Sequence, residues 1–137
     1  MLSTHETHCP IAFALNIFGD HWSLLIMRDI LFQKKKRYNE FLNSEEKIST
    51  NILADRLQRL EANRIIKKKR DTIDGKSFIY SPTDKGLDLL PVLLSIVRWS
   101  GKHDAKTGAP ASFLRQLEKP MNDIERKIRS EFGARQV

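Results

Sequence analysis

The chain has 137 residues, 40% of them apolar and 30% charged, with 24 Lys and Arg against 17 Asp and Glu for a formal net charge of +7. That size sustains one core without disulfides or a structural metal, and the single cysteine, Cys9, excludes an intramolecular disulfide and any zinc site of paired cysteines. No apolar run approaches the roughly 20 residues a bilayer span needs, and MLSTHETHCP lacks the basic-then-apolar order of a signal peptide, so the expectation is a cytoplasmic chain with no membrane partner.

The positive charge is unevenly placed. Residues 1–33 carry one cation against three acids, residues 34–76 carry thirteen against seven, and residues 77–137 carry ten against seven. The middle third therefore holds most of the excess, including two KKKR tetrads at 34–37 and 67–70. Such a field raises the encounter rate with polyanions, although a solvated lysine-rich face has the same composition.

After Pro10, IAFALNIF predicts a short apolar helix stopped by Gly19. Asp20 suits the cap of a second helix, WSLLIMRDILF, which is apolar on nearly all faces and so reads as a buried central helix with Trp22 in its core. A short helix follows at Tyr38–Leu42, then a polar turn from Asn43 to Lys47. Ser49 can cap the next helix, where Leu53, Leu57 and Leu60 form the inward stripe. At 100° per residue, Asn51, Asp55 and Gln58 lie opposite that stripe, with Ala54 and Arg59 on its flanks and Arg56 close enough to it to be a half-buried structural arginine.

Ile65–Arg70 and Lys76–Ser81 read as short strands, joined through Asp74-Gly75 as a two-residue hairpin turn. A hairpin this short must lean on the helices, through Ile66, Phe78 or Tyr80. Thr83 caps a leucine-rich helix from Asp84 to Lys102 that Pro91 should break near Leu87. KTGAP at 106–110 is a linker, and beyond it Leu114, Leu117, Met121, Ile124 and Ile128 repeat at three and four up to Phe132. Two packings fit that stripe, against a partner subunit or back on its own domain.

The expected fold is mainly α with a small antiparallel β-hairpin, an α+β winged helix-turn-helix. Its domains would be residues 1–105 with the N-terminal helix and a C-terminal helical extension over 106–137. In such an arrangement the second helix of the motif meets base edges in the major groove, and the hairpin reaches phosphates beside it. That order explains why the densest charge follows the helix instead of sitting on it: polar side chains read bases that cations merely attract.

The blocks CPIAFALNIFGDHWSLLIMRDI, RYNEFL, ISTNILADRLQRLEANRII, FIYSPTDKG and LLPVLLSIVRW together resemble the HxlR-type winged helix family of bacterial transcriptional regulators, from Cys9 to Gly101. The resemblance implies a homodimer with N- and C-terminal dimerisation helices, double-stranded DNA with a two-fold symmetric operator as partner, and a small-molecule or oxidant effector. It places Ser49, Thr50, Asn51, Asp55 and Arg59 on a recognition helix spanning 49–63, Lys69, Arg70 and Lys76 on a wing spanning 66–81, and Arg37 on a phosphate. This chain departs from the family pattern at Asn51, where a cation is common, at Pro82, and in its longer tail.

Cys9 precedes Pro10 at a helix start, near His5 and His8. It reads either as a thiol sensor activated by the helix terminus and imidazolium or as a small buried packing residue, and relatives in the family use a cysteine there to sense oxidants or electrophiles. HETHC makes no metal site, since two histidines three apart lack further ligands. No cofactor is expected, and no enzyme either, because the chain has no nucleophile and base pair, Gly-rich phosphate loop or metal triad. The competing reading is a thiol redox switch or protein-interaction module on a winged-helix scaffold that binds no DNA.

Overall fold

The structure, a computed structural model, describes residues 7–118 and 122–133. The chain divides into two compact units, Met1–Thr83 and Asp84–Val137. The sequence draws its functional boundary later, at 105/106.

In the first unit α1 is Pro10–Phe18, α2 Ser23–Leu31, α3 Tyr38–Leu42 and α4 Thr50–Ala62, followed by β1, Ile66–Arg70, and β2, Phe78–Pro82. Gly19 is the C-cap of α1, and a side chain does not fit there, since a Cβ would stand 2.4 Å from the Leu15 carbonyl oxygen. The Asp20 carboxylate accepts the Trp22 and Ser23 amides at 3.0 Å and so caps α2 from just upstream, supplying acceptors for donors that a helix start leaves unpaired. As expected, α2 is buried: Ile26, Met27, Ile30 and Leu31 belong to one set of buried apolar residues with Phe41 of α3, the α4 stripe Leu53, Leu57 and Leu60, and Ile65 and Ile66. Trp22 is a correction, since it is only half-buried and stacks edge-on with His21.

Ser49 caps α4 as expected, its Oγ accepting the Ile52 amide at 3.2 Å. The helix ends at Asn63, and Arg64 turns through the left-handed region at φ 61°. The hairpin is antiparallel, pairing Ile66 with Pro82, Lys68 with Tyr80 and Arg70 with Phe78. That register contradicts the tight Asp74-Gly75 turn and leaves a loop over 71–77. Two aspartates shape the loop: Asp71 Oδ1 accepts the Ile73 amide, while Asp74 accepts the Lys76 amide and the Ser77 hydroxyl. These side-chain acceptors outcompete the two-residue turn for the same amides.

In the second unit Pro91 breaks the leucine-rich segment near Leu87 into α5, Asp84–Leu87, and α6, Leu90–His103. The tail is a second correction. It forms two short helices, α7 at Ala111–Gln116 and α8 at Asp123–Glu131, so the described part of the stripe is divided between two helices, and Met121 lies outside the described residues. Asn122 caps α8 by accepting the Glu125 amide, which explains why a new helix starts there. Leu117 and Ile128 are buried within the single chain, and Gly101 lets α7 approach α6, where a Cβ would stand 2.5 Å from the Leu114 side chain.

Candidate nucleic-acid interface

Burying Leu53, Leu57 and Leu60 turns the opposite face of α4 outward, and Ser49, Thr50, Asn51, Ala54, Asp55, Gln58 and Arg59 are all exposed along it. The face is small and polar, with one acid and one base. Such a ridge can enter a groove without displacing bulk, and its amides and hydroxyls can pair with base edges. Tyr38 Oη donates to the Thr50 carbonyl at 3.0 Å, tying α3 to the first turn of α4.

Behind this face a polar cluster fixes the turn between α3 and α4. Asp29 of α2 is buried, and one of its carboxylate oxygens accepts from Arg28 Nε and Nη2 at 3.0 and 2.7 Å. The other accepts the buried Ser44 hydroxyl, to which Lys35 Nζ also donates at 3.0 Å. Arg28 reaches on to Glu46 with two bonds of 2.7 and 2.8 Å. The Arg28 guanidinium beside Glu46 holds that carboxyl at about 2, well below its ordinary 4.5. The angle at which α4 leaves the turn is thus set by charge-assisted bonds as well as by apolar contact.

The hairpin carries the cations. Ile66, Lys68 and Arg70 alternate with Lys67 and Lys69, so the two sets point to opposite sides of the strand. The first set faces the helices: Ile66 is buried, Lys68 lies 3.7 Å from Glu61 of α4, and Tyr80, opposite Lys68, meets Phe41 edge-on. Lys67 and Lys69 point away and have no carboxylate partner among the described residues. Lys76 is exposed at the end of the loop.

Two of the sequence-predicted phosphate contacts are engaged internally. Arg37 donates from Nε and Nη2 to Asp71 at 3.2 and 2.8 Å, so it ties the start of α3 to the root of the wing loop. Arg70 donates from Nη1 to the Gly75 carbonyl at 2.7 Å and lies over the Phe78 ring. Arg37 and Lys76 nevertheless line one open groove of about 360 Å³ with Tyr38, Asn39 and Tyr80. Sequence reasoning left Lys67 and Gln58 out of the site. Period-two alternation groups Lys67 with Lys69, and the helical arithmetic already puts Gln58 beside Asp55.

Cys9 is exposed, at the residue before α1, which removes the buried-packing reading. His8 beside it is also exposed, and His5 lies outside the described residues. Among the described residues no cluster of His, Cys, Asp or Glu could hold a metal, and no single helix is long and apolar enough to cross a membrane.

Residues 17–107 match the HxlR-like helix-turn-helix family. The chain is 30% identical to the HTH-type transcriptional regulator YdeP of Bacillus subtilis strain 168 over 95 residues, 69% of this chain and 73% of YdeP. It is 32% identical to the HTH-type transcriptional regulator YodB of the same organism over 96 residues, 69% of this chain and 85% of YodB. The structure of reduced YodB superposes with a TM-score of 0.59 at 28% identity, covering 74% of this chain and 99% of YodB. The oxidized redox regulator HypR superposes at 0.62 and 28%, covering 69% and 97%. YodB is also known in diamide-treated and quinone-bound forms.

Proposed function

This chain belongs to the HxlR-like helix-turn-helix family of DNA-binding transcriptional regulators, and on that premise we propose that it acts as a homodimer on a two-fold symmetric operator. In this reading α4 lies in the major groove with Ser49, Thr50, Asn51, Asp55 and Arg59 toward the bases, and Lys67, Lys69 and Lys76 hold phosphates from the wing. Arg37 and Arg70 contribute chiefly by shaping the wing, since each already has an internal acceptor. Residues 1–105 form the DNA-binding domain with its N-terminal helix, and 106–137 a dimerisation extension. The observation that carries the reading is the outward face of α4, small, polar and exposed from Ser49 to Arg59, next to a hairpin with two outward lysines.

Two faces support a second copy of the chain as partner. Helix α1 has no buried residue and exposes Ile11, Phe13 and Leu15, and α6 exposes Ile96 and Trp99 one turn apart. Apolar groups left in water on two helices favour association. Exposed Cys9, at the foot of α1, is the site at which thiol-reactive oxidants or electrophiles would act, and YodB and HypR are the relatives that support that role.

Selection of duplexes from a random library, repeated after thiol oxidation, tests the reading. The expected result is an inverted-repeat motif, bound in a steeply salt-dependent way, with its yield altered by oxidation in the wild type but not in Cys9→Ser. Failure to enrich any duplex at low salt would overturn DNA binding and leave the redox or protein-interaction module.

A further inference from the structure

Asp55 is an oddity on a surface meant for a polyanion: its carboxylate is half-exposed at the centre of the outward face of α4. Adjacent helix positions do not normally face each other, yet Arg56 Nη1 donates to Asp55 Oδ2. The bend has a visible cause. Arg56 Nε donates at 2.8 Å to Asp20 Oδ2, and Asp20 is itself fixed at the start of α2 by the Trp22 and Ser23 amides and the Ser23 hydroxyl. One edge of the guanidinium is therefore anchored and the other is aimed along the helix at Asp55. Arg59 Nη1, at 3.8 Å, is the weaker second partner of the same carboxylate.

Resting on the DNA-binding reading, we propose that Arg56 is a positioning residue that makes Asp55 usable for base reading. Held by Arg56, Asp55 is half of an ion pair and presents an acceptor oxygen without a bare negative charge. A carboxylate oxygen in the major groove pairs with the N4 amino group of cytosine in preference to the N6 amino group of adenine, which has the N7 acceptor beside it, so the relay Asp20–Arg56–Asp55 sets preference at one base pair of each half-site. Arg56 itself is half-buried beside Asp20 and does not need to touch DNA.

The test is a double-mutant cycle on duplexes selected by the wild-type protein, with thermal unfolding of each variant as the fold control. Arg56→Gln should weaken binding about tenfold by exposing the Asp55 charge to phosphate. Asp55→Asn should lose preference at a single position while keeping general affinity. In the Arg56→Gln, Asp55→Asn double variant the Arg56 loss should vanish, leaving affinity within about twofold of Asp55→Asn alone, the signature of two residues acting as one unit. Asp20→Asn loosens the anchor without removing the guanidinium and should give a smaller loss, again absent in the Asp55→Asn background, which keeps the test open if Arg56→Gln unfolds. Losses that simply multiply, or no loss in either variant, would overturn this inference while the DNA-binding reading stands. A wild-type chain that retains no duplex would overturn both.

Discussion

The tetrapeptide KKKR occurs at 34–37 and again at 67–70, and the two copies end in opposite states. In the first, Lys34 turns the chain at φ 58° and donates to the Leu31 carbonyl, Lys35 lies within 3.7 Å of buried Asp29, Lys36 donates its amide to the Glu40 carboxylate and accepts the Tyr80 amide at its carbonyl, and Arg37 is paired to Asp71. In the second, all four residues are exposed on a strand and alternate between its faces, and Lys67 and Lys69 have no carboxylate partner among the described residues. Identical letters thus fasten the fold at every position of the first copy, while the second leaves two lysines, Lys67 and Lys69, as open charge beside the bonded Lys68 and Arg70. What decides is whether carboxylates stand within reach, and that depends on residues distant in sequence.

The sharpest way to break this comparison is to remove the carboxylate beside Lys35 in the first copy. Asp29→Ala leaves Arg28, Lys35 and Ser44 without their shared acceptor and should destabilise the protein by about 3 kcal/mol in urea unfolding, as expected when one partner of a buried ion pair is lost. A neutral result would mean that Lys35 is as free as Lys67 and Lys69.

Next in size is the pair of outward lysines. Lys67→Gln with Lys69→Gln should leave unfolding stability within about 0.5 kcal/mol and make the slope of log affinity against log salt shallower by about two. Arg37→Gln should do the reverse, lowering the melting temperature and leaving the slope unchanged. If Arg37→Gln instead took one unit from the slope at constant stability, the assignment of the two tetrads would have to be exchanged.

Much of this was legible in the sequence because it depends on local pattern. The stripe Leu53, Leu57, Leu60, the Ser49 cap, the break at Pro91 and the polar face around Asn51 follow from periodicities and caps that span a few residues. The failures are non-local or competitive. The Asp74-Gly75 turn lost to side-chain acceptors in Asp71 and Asp74, one of them held by an arginine 34 residues upstream. The C-terminal stripe was read as one continuous pattern, whereas Asn122 starts a separate helix. Arg37 and Arg70 look available in sequence because their partners, Asp71 and the Gly75 carbonyl, are brought to them only by the fold.

Acid separates the two regions more gently. Burial pushes the Asp20 carboxyl up, but bonds from Ser23, Arg56 and the Trp22 and Ser23 amides outweigh it and leave it at about 2 instead of 3.8, and Glu46 is likewise held at about 2 instead of 4.5. Both are depressed, so their contribution is complete above pH 4.5 and is lost as the pH falls toward 2. Unfolding measured from neutral pH downward should show that decline in the wild type, and Glu46→Gln should start less stable and decline less.

The smallest expected effect compares the first letter of each tetrad. Lys34 occupies the left-handed region, where an L side chain is strained and glycine is not, so Lys34→Gly should stabilise, by at most about 1 kcal/mol once the greater freedom of the unfolded glycine and the lost Leu31 bond are set against the relief. Lys67 is in an extended strand paired with Ser81, where glycine only adds freedom to the unfolded chain, and Lys67→Gly should destabilise by a similar amount. Opposite signs from the same substitution in the same tetrapeptide, read by urea unfolding of the two variants side by side, would isolate the backbone part of the difference from the electrostatic part. Equal signs would mean that the local conformation of 34–37 is not what separates the two copies, leaving their carboxylate neighbours as the whole cause.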